Sequence, residues 1–84
     1  MLKMPKRIDP SVAKKCDQIC ASIKAGTTYM ALKGKRLDVR EADGRIRIYI
    51  PVGYRHRLVC LFDGRVTVPH ELLPHENYNK KYCQ

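Results

Sequence analysis

The chain has 84 residues, enough for one small domain and too few for a second hydrophobic core. Hydrophobic residues make up 44% of the chain, which excludes general disorder. Seventeen Lys and Arg residues against eight Asp and Glu residues give a net charge of +9. This excess favours an anionic partner, namely a nucleic acid, an anionic membrane surface or an acidic protein.

Four cysteines leave the redox compartment open when they are considered alone. An even number would suit disulfides in a short secreted chain. However, residues 1–15 carry charge and two prolines where a secretory signal needs an apolar stretch. No segment approaches the roughly 20 apolar residues of a membrane span. We therefore expect a cytoplasmic protein without membrane association, and we expect reduced thiols at Cys16, Cys20, Cys60 and Cys83.

The first part of the chain predicts a basic arm followed by one amphipathic helix. Residues 1–8 form the arm, and Asp9-Pro10 is typical of a helix start, with an N-cap followed by proline at the first helical position. Gly26 is a natural stop, so the helix is predicted over about residues 10–25. One apolar stripe follows it, formed by Val12, Cys16, Ile19, Cys20 and Ile23.

Residues 27–42 allow more than one interpretation. The segment 29–32 fits a further helical turn or a short strand. A basic loop follows it, consisting of Lys33, Gly34, Lys35 and Arg36. Leu37 and Val39 alternate with polar neighbours, which indicates the start of a strand.

From Gly44 onward the apolar period is two, which predicts an antiparallel sheet. A strand over 46–50, a turn at 51–53 and a second strand over 54–62 are followed by the hairpin signal Asp63-Gly64. Residues 65–68 pair back, Pro69 predicts a bulge or an edge strand, and 75–82 is a short helix or an ordered tail. The fold class predicted is α+β, a single domain over residues 1–84.

Basic residues lie at two-residue spacing on neighbouring predicted strands. Arg45 and Arg47 share a face with Tyr49, and the next strand carries Arg55 and Arg57. Four forked donors on paired strands could bind phosphates. The alternative is a solvated outer face of the sheet.

The cysteines and histidines predict no metal site. Cys16 and Cys20 lie on the apolar stripe, where cysteine packs as a small hydrophobe, and zinc needs four ligands. His70 and His75 are five residues apart with Pro74 between them, which excludes a helical zinc motif.

His75 and His56 differ in their expected environment. His75 and Tyr78 are three apart in a polar helical stretch, so they can point the same way and exchange protons. The alternative is that His75 caps a helix while the Tyr78 ring packs on the sheet. His56 alternates with Arg55 and Arg57, so it is expected in the core or facing a helix.

The order of these motifs resembles the RelE/ParE superfamily of bacterial type II toxins over roughly residues 30–79. A Leu-x-Gly element at 32–34 precedes the basic strand 45–49, then Gly53-Tyr54-Arg55 runs into the segment 57–60, and a His/Tyr segment ends the match. The family normally opens with two long helices, whereas one is visible here. Pro69 also interrupts the position of the last strand.

The resemblance implies a small twisted antiparallel sheet with the N-terminal helix, or helices, packed on one face. It implies a toxin that cleaves mRNA, expected on the ribosome, without metal or cofactor, and an acidic antitoxin that masks it. The implied catalytic residues are His75, Tyr78 and Arg55, with Arg57 as the alternative register for the arginine. The implied RNA-binding residues are Arg45, Arg47, Arg57, Lys33, Lys35 and Arg36.

Two other functions fit the same residues. One is a non-enzymatic inhibitor of gyrase from the ParE branch, in which the His75 and Tyr78 pair would be unnecessary. The other is a small basic protein that binds nucleic acid without toxicity and whose affinity falls steeply with salt.

Overall fold

The computed structural model describes residues 2–82, so Cys83 lies outside the described residues. A helix precedes four strands, and a short helix follows them. The elements are α1 (Pro10–Lys24), β1 (Lys35–Arg40), β2 (Ile46–Val52), β3 (His56–Phe62), β4 (Thr67–Pro74) and α2 (His75–Tyr82). The fold is therefore α+β, as the sequence predicts.

The four strands form one antiparallel sheet in the order β1-β2-β3-β4. The β2–β3 pairing is regular from Ile46 opposite Phe62 to Val52 opposite His56. Since each strand pairs with its neighbour in sequence, short turns make every connection and the predicted hairpins are confirmed.

Helix α1 begins where the sequence predicts it. The Asp9 carboxylate accepts hydrogen bonds from the Ser11 backbone N–H and hydroxyl, both at 2.8 Å. These bonds hold the pKa of Asp9 below its usual value, and Pro10 occupies the first helical turn. The helix thus has a fixed start from which its apolar stripe meets the sheet.

The two faces of the sheet differ in what covers them. We call them the α1 face and the α2 face after the helix that packs on each. The α1 face holds the main core, formed by Cys16, Ile23, Tyr29, Ile48, Ile50, Val52, Leu58, Cys60 and Leu72. The α2 face holds a smaller buried cluster, Val59, Leu73 and Tyr78, against which Leu37 and Tyr49 pack. Most of the buried apolar side chains therefore lie on the α1 face, on the side of the sheet away from α2.

The cysteines that the structure describes lie on the α1 side as free thiols. Cys16 and Cys60 are fully buried, and loss of solvation raises the pKa of each thiol to about 12. Cys20 is partly exposed, and burial raises its pKa as well. The predicted packing role is consistent with this placement.

The connection between α1 and β1 is a turn over residues 29–33, where the sequence left a helical turn or a strand open. Gly34 follows it in close contact with the core. A Cβ at this position would lie 2.8 Å from the Tyr29 carbonyl oxygen and 3.1 Å from Cγ1 of Ile50. The Leu-x-Gly element therefore serves packing, because only glycine fits there.

Two strand bounds differ from the prediction. Pro51 and Val52 belong to β2, so the turn occupies residues 53–55 instead of 51–53, and β3 starts at His56. β4 runs through Pro69 with a register shift opposite the Val59–Cys60 step, which matches the expected bulge on an edge strand. In the N-terminal arm, Lys3 pairs with this edge beside Glu71.

Candidate functional site

Exposed polar groups meet where the β2–β3 turn lies beside the start of α2. His56 pairs with Pro74 across β3 and β4, so the next residues outward, Arg55 and His75, are also neighbours. The His75 backbone N–H donates to the Arg55 carbonyl oxygen, and both residues are exposed. The structure thus places side by side two of the residues that the family resemblance implies for catalysis.

Two residues after this turn, the guanidinium of Arg57 lies against two tyrosine rings on the α2 face, in the corner that the rings form. Its central carbon is 4.5 Å from the Tyr49 ring centroid and 4.6 Å from that of Tyr78. The two rings pack edge to face, with centroids 5.4 Å apart. A guanidinium held against aromatic rings still has N–H groups that can donate to a ligand. The rings therefore fix the orientation of Arg57 without a carboxylate.

The Tyr78 side chain is fully buried in this arrangement. It has no exposed face on which a base could stack, so a stacking role would require α2 to move. Its position matches the alternative in which the ring packs on the sheet.

The four predicted phosphate-binding arginines do not lie side by side, and two of them, Arg45 and Arg55, lie just outside the strands. Arg57 lies opposite Pro51, whereas Arg47 lies opposite Leu61, four register positions away or about 13 Å along the strand. The prediction that the four arginines form one patch is wrong, because the hairpin places the end of β2 opposite the start of β3. Arg47, at the start of β2, is therefore distant from Arg57, at the start of β3. The arginines therefore fall into two separate groups.

The Arg45 and Arg47 group lies beside carboxylates. Arg45 Nε is 2.7 Å from Asp43 Oδ2, and Arg47 binds both oxygens of Glu41 at 2.9 and 3.2 Å. Phosphate would have to displace a bidentate carboxylate from Arg47. No ion pair is recorded for Arg55 or Arg57 within residues 2–82, so those two are the better placed phosphate ligands.

The basic loop distributes its charges over both faces. Lys35 lies opposite Tyr49 and so belongs to the α2 face, beside the ring that stacks on Arg57. Arg36 lies opposite Ile48 and belongs to the α1 face. Lys33 adopts a left-handed conformation, with φ of 63°. Of the three residues of the basic loop that are predicted to bind RNA, Lys35 is the one that lies on the same face of the sheet as Arg57.

His56 lies on the α1 face, as expected, half-buried near the start of α1. Its Nδ1 is buried, and within the described residues no hydrogen-bond partner lies in reach of it. In the part of the chain that the structure describes, no three His, Cys, Asp or Glu residues cluster to hold a metal ion. None of the described helices is long and apolar enough to cross a membrane.

Tyr54 is a further candidate that the sequence argument missed. It occupies the tip of the β2–β3 turn with its side chain wholly exposed, between Gly53 and Arg55. An aromatic ring in solvent beside an arginine can stack on a nucleic-acid base. The signal in the sequence was an aromatic residue directly after a turn glycine.

A helix, a four-stranded antiparallel sheet and a second helix, with basic groups at one end, fit the class of small RelE/ParE-type toxins. A family model for the ParE-like toxin domain matches residues 10–80, most of the chain. The protein therefore belongs to the ParE-like toxin domain family and is a toxin of a toxin–antitoxin system. Searches of curated proteins and of solved structures find no match.

Proposed function

We propose that this toxin is an endoribonuclease that cleaves mRNA, on the ribosome, without a metal ion. The observation that carries the proposal is the meeting of Arg55, Arg57 and His75 at one end of the sheet. RNA supplies its own nucleophile, the 2′-hydroxyl. The protein then has to orient the phosphate, stabilise its developing charge and move two protons.

The two arginines differ in the contribution we assign to them. Arg57 is held against two rings and partly removed from solvent, so its N–H groups are already oriented before RNA arrives. A preorganised donor stabilises developing charge more than a mobile one. Arg55 is exposed in the turn and suits capture of the phosphate backbone. Lys35, on the same face, extends the positive surface.

The first proton transfer is assigned to His75, whose imidazole is solvent-exposed at the first residue of α2. It would accept the proton of the 2′-hydroxyl as that oxygen bonds to phosphorus and the P–O5′ bond breaks, which leaves a 2′,3′-cyclic phosphate. The departing 5′-oxygen would take its proton from solvent water. Tyr78 acts as a positioning residue, because its buried ring holds α2 against Arg57. Tyr54 would stack on a base next to the scissile phosphate.

Controlled expression followed by primer extension on total RNA tests the proposal. We expect growth arrest and new mRNA 5′ ends with the wild-type chain, and His75→Gln should reduce cleavage by about 10²-fold or more. His70→Gln is the matched control, since His70 is a partly exposed histidine of β4.

Three results would contradict the proposal. Growth arrest with intact mRNA and with gyrase-dependent DNA breaks would assign the toxin to gyrase inhibition. Arrest that persists in His75→Gln with unchanged cleavage would remove the histidine from the mechanism. Salt-sensitive binding of RNA or DNA without growth arrest would indicate a simple nucleic-acid-binding role.

A further inference from the structure

An open cleft of about 320 Å³ lies between α1 and the end of β2, and we call it the α1 cleft. Residues of α1, of the turn before β1 and of β2 form its apolar floor, namely Ile19, Leu32, Pro51 and Val52. Gly53, the first residue of the β2–β3 turn, also lines it. The α1 cleft is therefore adjacent to the turn that carries Tyr54 and Arg55.

Three polar side chains of α1 border this floor. Lys15, Gln18 and Ser22 follow one another at positions i, i+3 and i+7, so they share one face of the helix. Lys15 and Gln18 are exposed, and Ser22 is half-buried. No ion pair or side-chain hydrogen bond is recorded for the three within residues 2–82. They can therefore bind a ligand without first releasing an internal partner.

The polar groups and the floor together match the parts of a nucleotide. An ammonium group binds phosphate, an amide both donates to and accepts from the edge of a base, and apolar side chains cover its ring face. Lys15, Gln18 and the apolar floor supply these three contacts. No carboxylate of the described residues lines the α1 cleft to repel phosphate. Among the bases, adenine pairs a donor with an acceptor in the way that suits a glutamine amide.

The α1 cleft also lies on the path of an RNA strand bound at the candidate site. Gly53 and Arg55 are two residues apart, so at most about 8 Å of backbone separates the edge of the cleft from Arg55. Tyr54, whose side chain is wholly exposed, lies between them. A single strand with a phosphate on Arg55 and a base on Tyr54 can therefore continue into the cleft.

We propose that the α1 cleft binds one nucleotide of the RNA strand beside the cleavage site and prefers adenine there. Lys15 would bind the phosphate of this nucleotide, and Gln18 would bind the edge of its base. The assignment rests on the proposed function, because it extends the RNA strand beyond the reacting phosphate. Gln18 would then determine specificity from outside the catalytic site.

Fluorescence polarisation with labelled ten-nucleotide strands tests the preference for adenine. The probes are 2′-fluoro oligouridines with one central adenine or one central cytosine, and they stay intact because they lack the 2′-hydroxyl nucleophile. We expect the wild type to bind the adenine probe about fivefold or more tightly than the cytosine probe. Gln18→Glu should abolish or reverse this ratio, because a carboxylate accepts from the cytosine amine.

Lys14→Glu is the charge control for Gln18→Glu. Lys14 is exposed on the same helix outside the α1 cleft, and its reversal changes the net charge more than Gln18→Glu does. Lys14→Glu should therefore weaken both probes and keep their ratio. A ratio that is the same in Gln18→Glu and the wild type would overturn the proposal, as would a wild-type protein that binds neither probe.

The salt dependence of binding tests the phosphate contact of Lys15. Each phosphate of a single strand that a cation neutralises adds about 0.7 to the slope of log affinity against log salt. Lys15→Met should reduce this slope by about that amount, whereas Lys14→Met should change it by less than half as much. Equal slopes in the two variants would overturn the proposal. Circular dichroism checks that each variant is folded.

The outcomes are distinct from those for the candidate site. Cleavage of mRNA by a wild type whose binding ignores Lys15 and Gln18 would remove the α1 cleft and leave the endoribonuclease. Binding that depends on both residues without any mRNA cleavage would do the reverse. A glutamate-rich peptide that binds through Lys15, while neither RNA probe binds, would assign the cleft to a protein partner and overturn the proposal.

Discussion

The two turns that flank β3 are alike locally and differ in their surroundings. Each contains a glycine with positive φ, 65° at Gly53 and 101° at Gly64, and each presents an exposed arginine, Arg55 or Arg65. The first turn lies beside a histidine and a stacked guanidinium, whereas the second borders an apolar groove. The groups packed around each turn therefore decide which ligands its arginine can bind. The sequence of the turn itself does not decide this.

The turns are also fixed in different ways. Asp63 accepts two backbone N–H groups within the β3–β4 turn, so that turn is closed by its own side chain. The β2–β3 turn is held from outside, through the bond from the His75 N–H to the Arg55 carbonyl. Movement of α2 would therefore reach the candidate site and leave the groove unchanged.

The largest effect is expected at Tyr78, which links α2 to the candidate site. Tyr78→Ala removes a fully buried ring and should lower the free energy of unfolding by about 3–5 kcal/mol. Tyr78→Phe keeps the ring and should change the free energy of unfolding by less than about 1 kcal/mol, with cleavage near the wild-type rate. Chemical denaturation and a cleavage assay measure both. A loss of cleavage in Tyr78→Phe comparable to that in His75→Gln would instead give the hydroxyl a part in proton transfer.

Arg57 tests whether a stacked guanidinium serves the chemistry. Arg57→Met keeps an unbranched side chain against the rings of Tyr49 and Tyr78 but removes the donors, so cleavage should fall by about 10²-fold. Arg47→Met is the control, and it should change cleavage by less than about threefold because Glu41 already occupies that guanidinium. Equal losses in the two variants would contradict the separation of the arginines into two groups.

Local signals in the sequence predicted much of this fold. Asp9-Pro10 and Gly26 bounded α1, and the alternating residues Ile46, Ile48 and Ile50 indicated both the sheet and its buried face. These features depend on neighbours within a few residues, which a single sequence displays directly.

Features that depend on cross-strand register were not accessible in the same way. A shift of a few residues decides whether Arg47 or Pro51 lies opposite Arg57, and the alternation of side chains is the same in either case. The groove likewise joins Met30 to Val66 across the sequence. No pattern along the chain indicates that these two residues line one groove.

A smaller effect is expected from the cap of α1, which belongs to neither turn. Asp9→Ala removes the acceptor for two hydrogen bonds from Ser11 and should lower the stability of the fold. Asp9→Asn should retain most of the stability that the cap contributes. Because α1 packs on the opposite face from α2, cleavage per folded molecule should stay unchanged. Thermal unfolding followed by circular dichroism measures the change in stability, and the cleavage assay measures the activity per folded molecule.

The smallest effect is a difference between the turns in acid. Backbone N–H groups of Val66 and Arg65 hold the pKa of Asp63 below its usual 3.8. A lowered folded pKa gives stability that is present above the unfolded value and lost as pH falls through the folded one. The β3–β4 turn should therefore loosen below about pH 4, and Asp63→Asn should abolish this dependence. Amide hydrogen exchange of Val66 measures it, and an unchanged rate between pH 5 and pH 3 after correction for intrinsic exchange would contradict it.

The most direct measurement compares the two turn arginines in one cleavage assay. Arg55→Ala and Arg65→Ala remove the same side chain from exposed positions at opposite ends of β3. If the chemistry resides beside His75, Arg55→Ala should reduce mRNA cleavage by about 10²-fold while Arg65→Ala stays within about twofold of the wild type. Full cleavage by a folded Arg55→Ala protein, or an equal loss in both variants, would contradict the placement of the catalytic site at the β2–β3 turn.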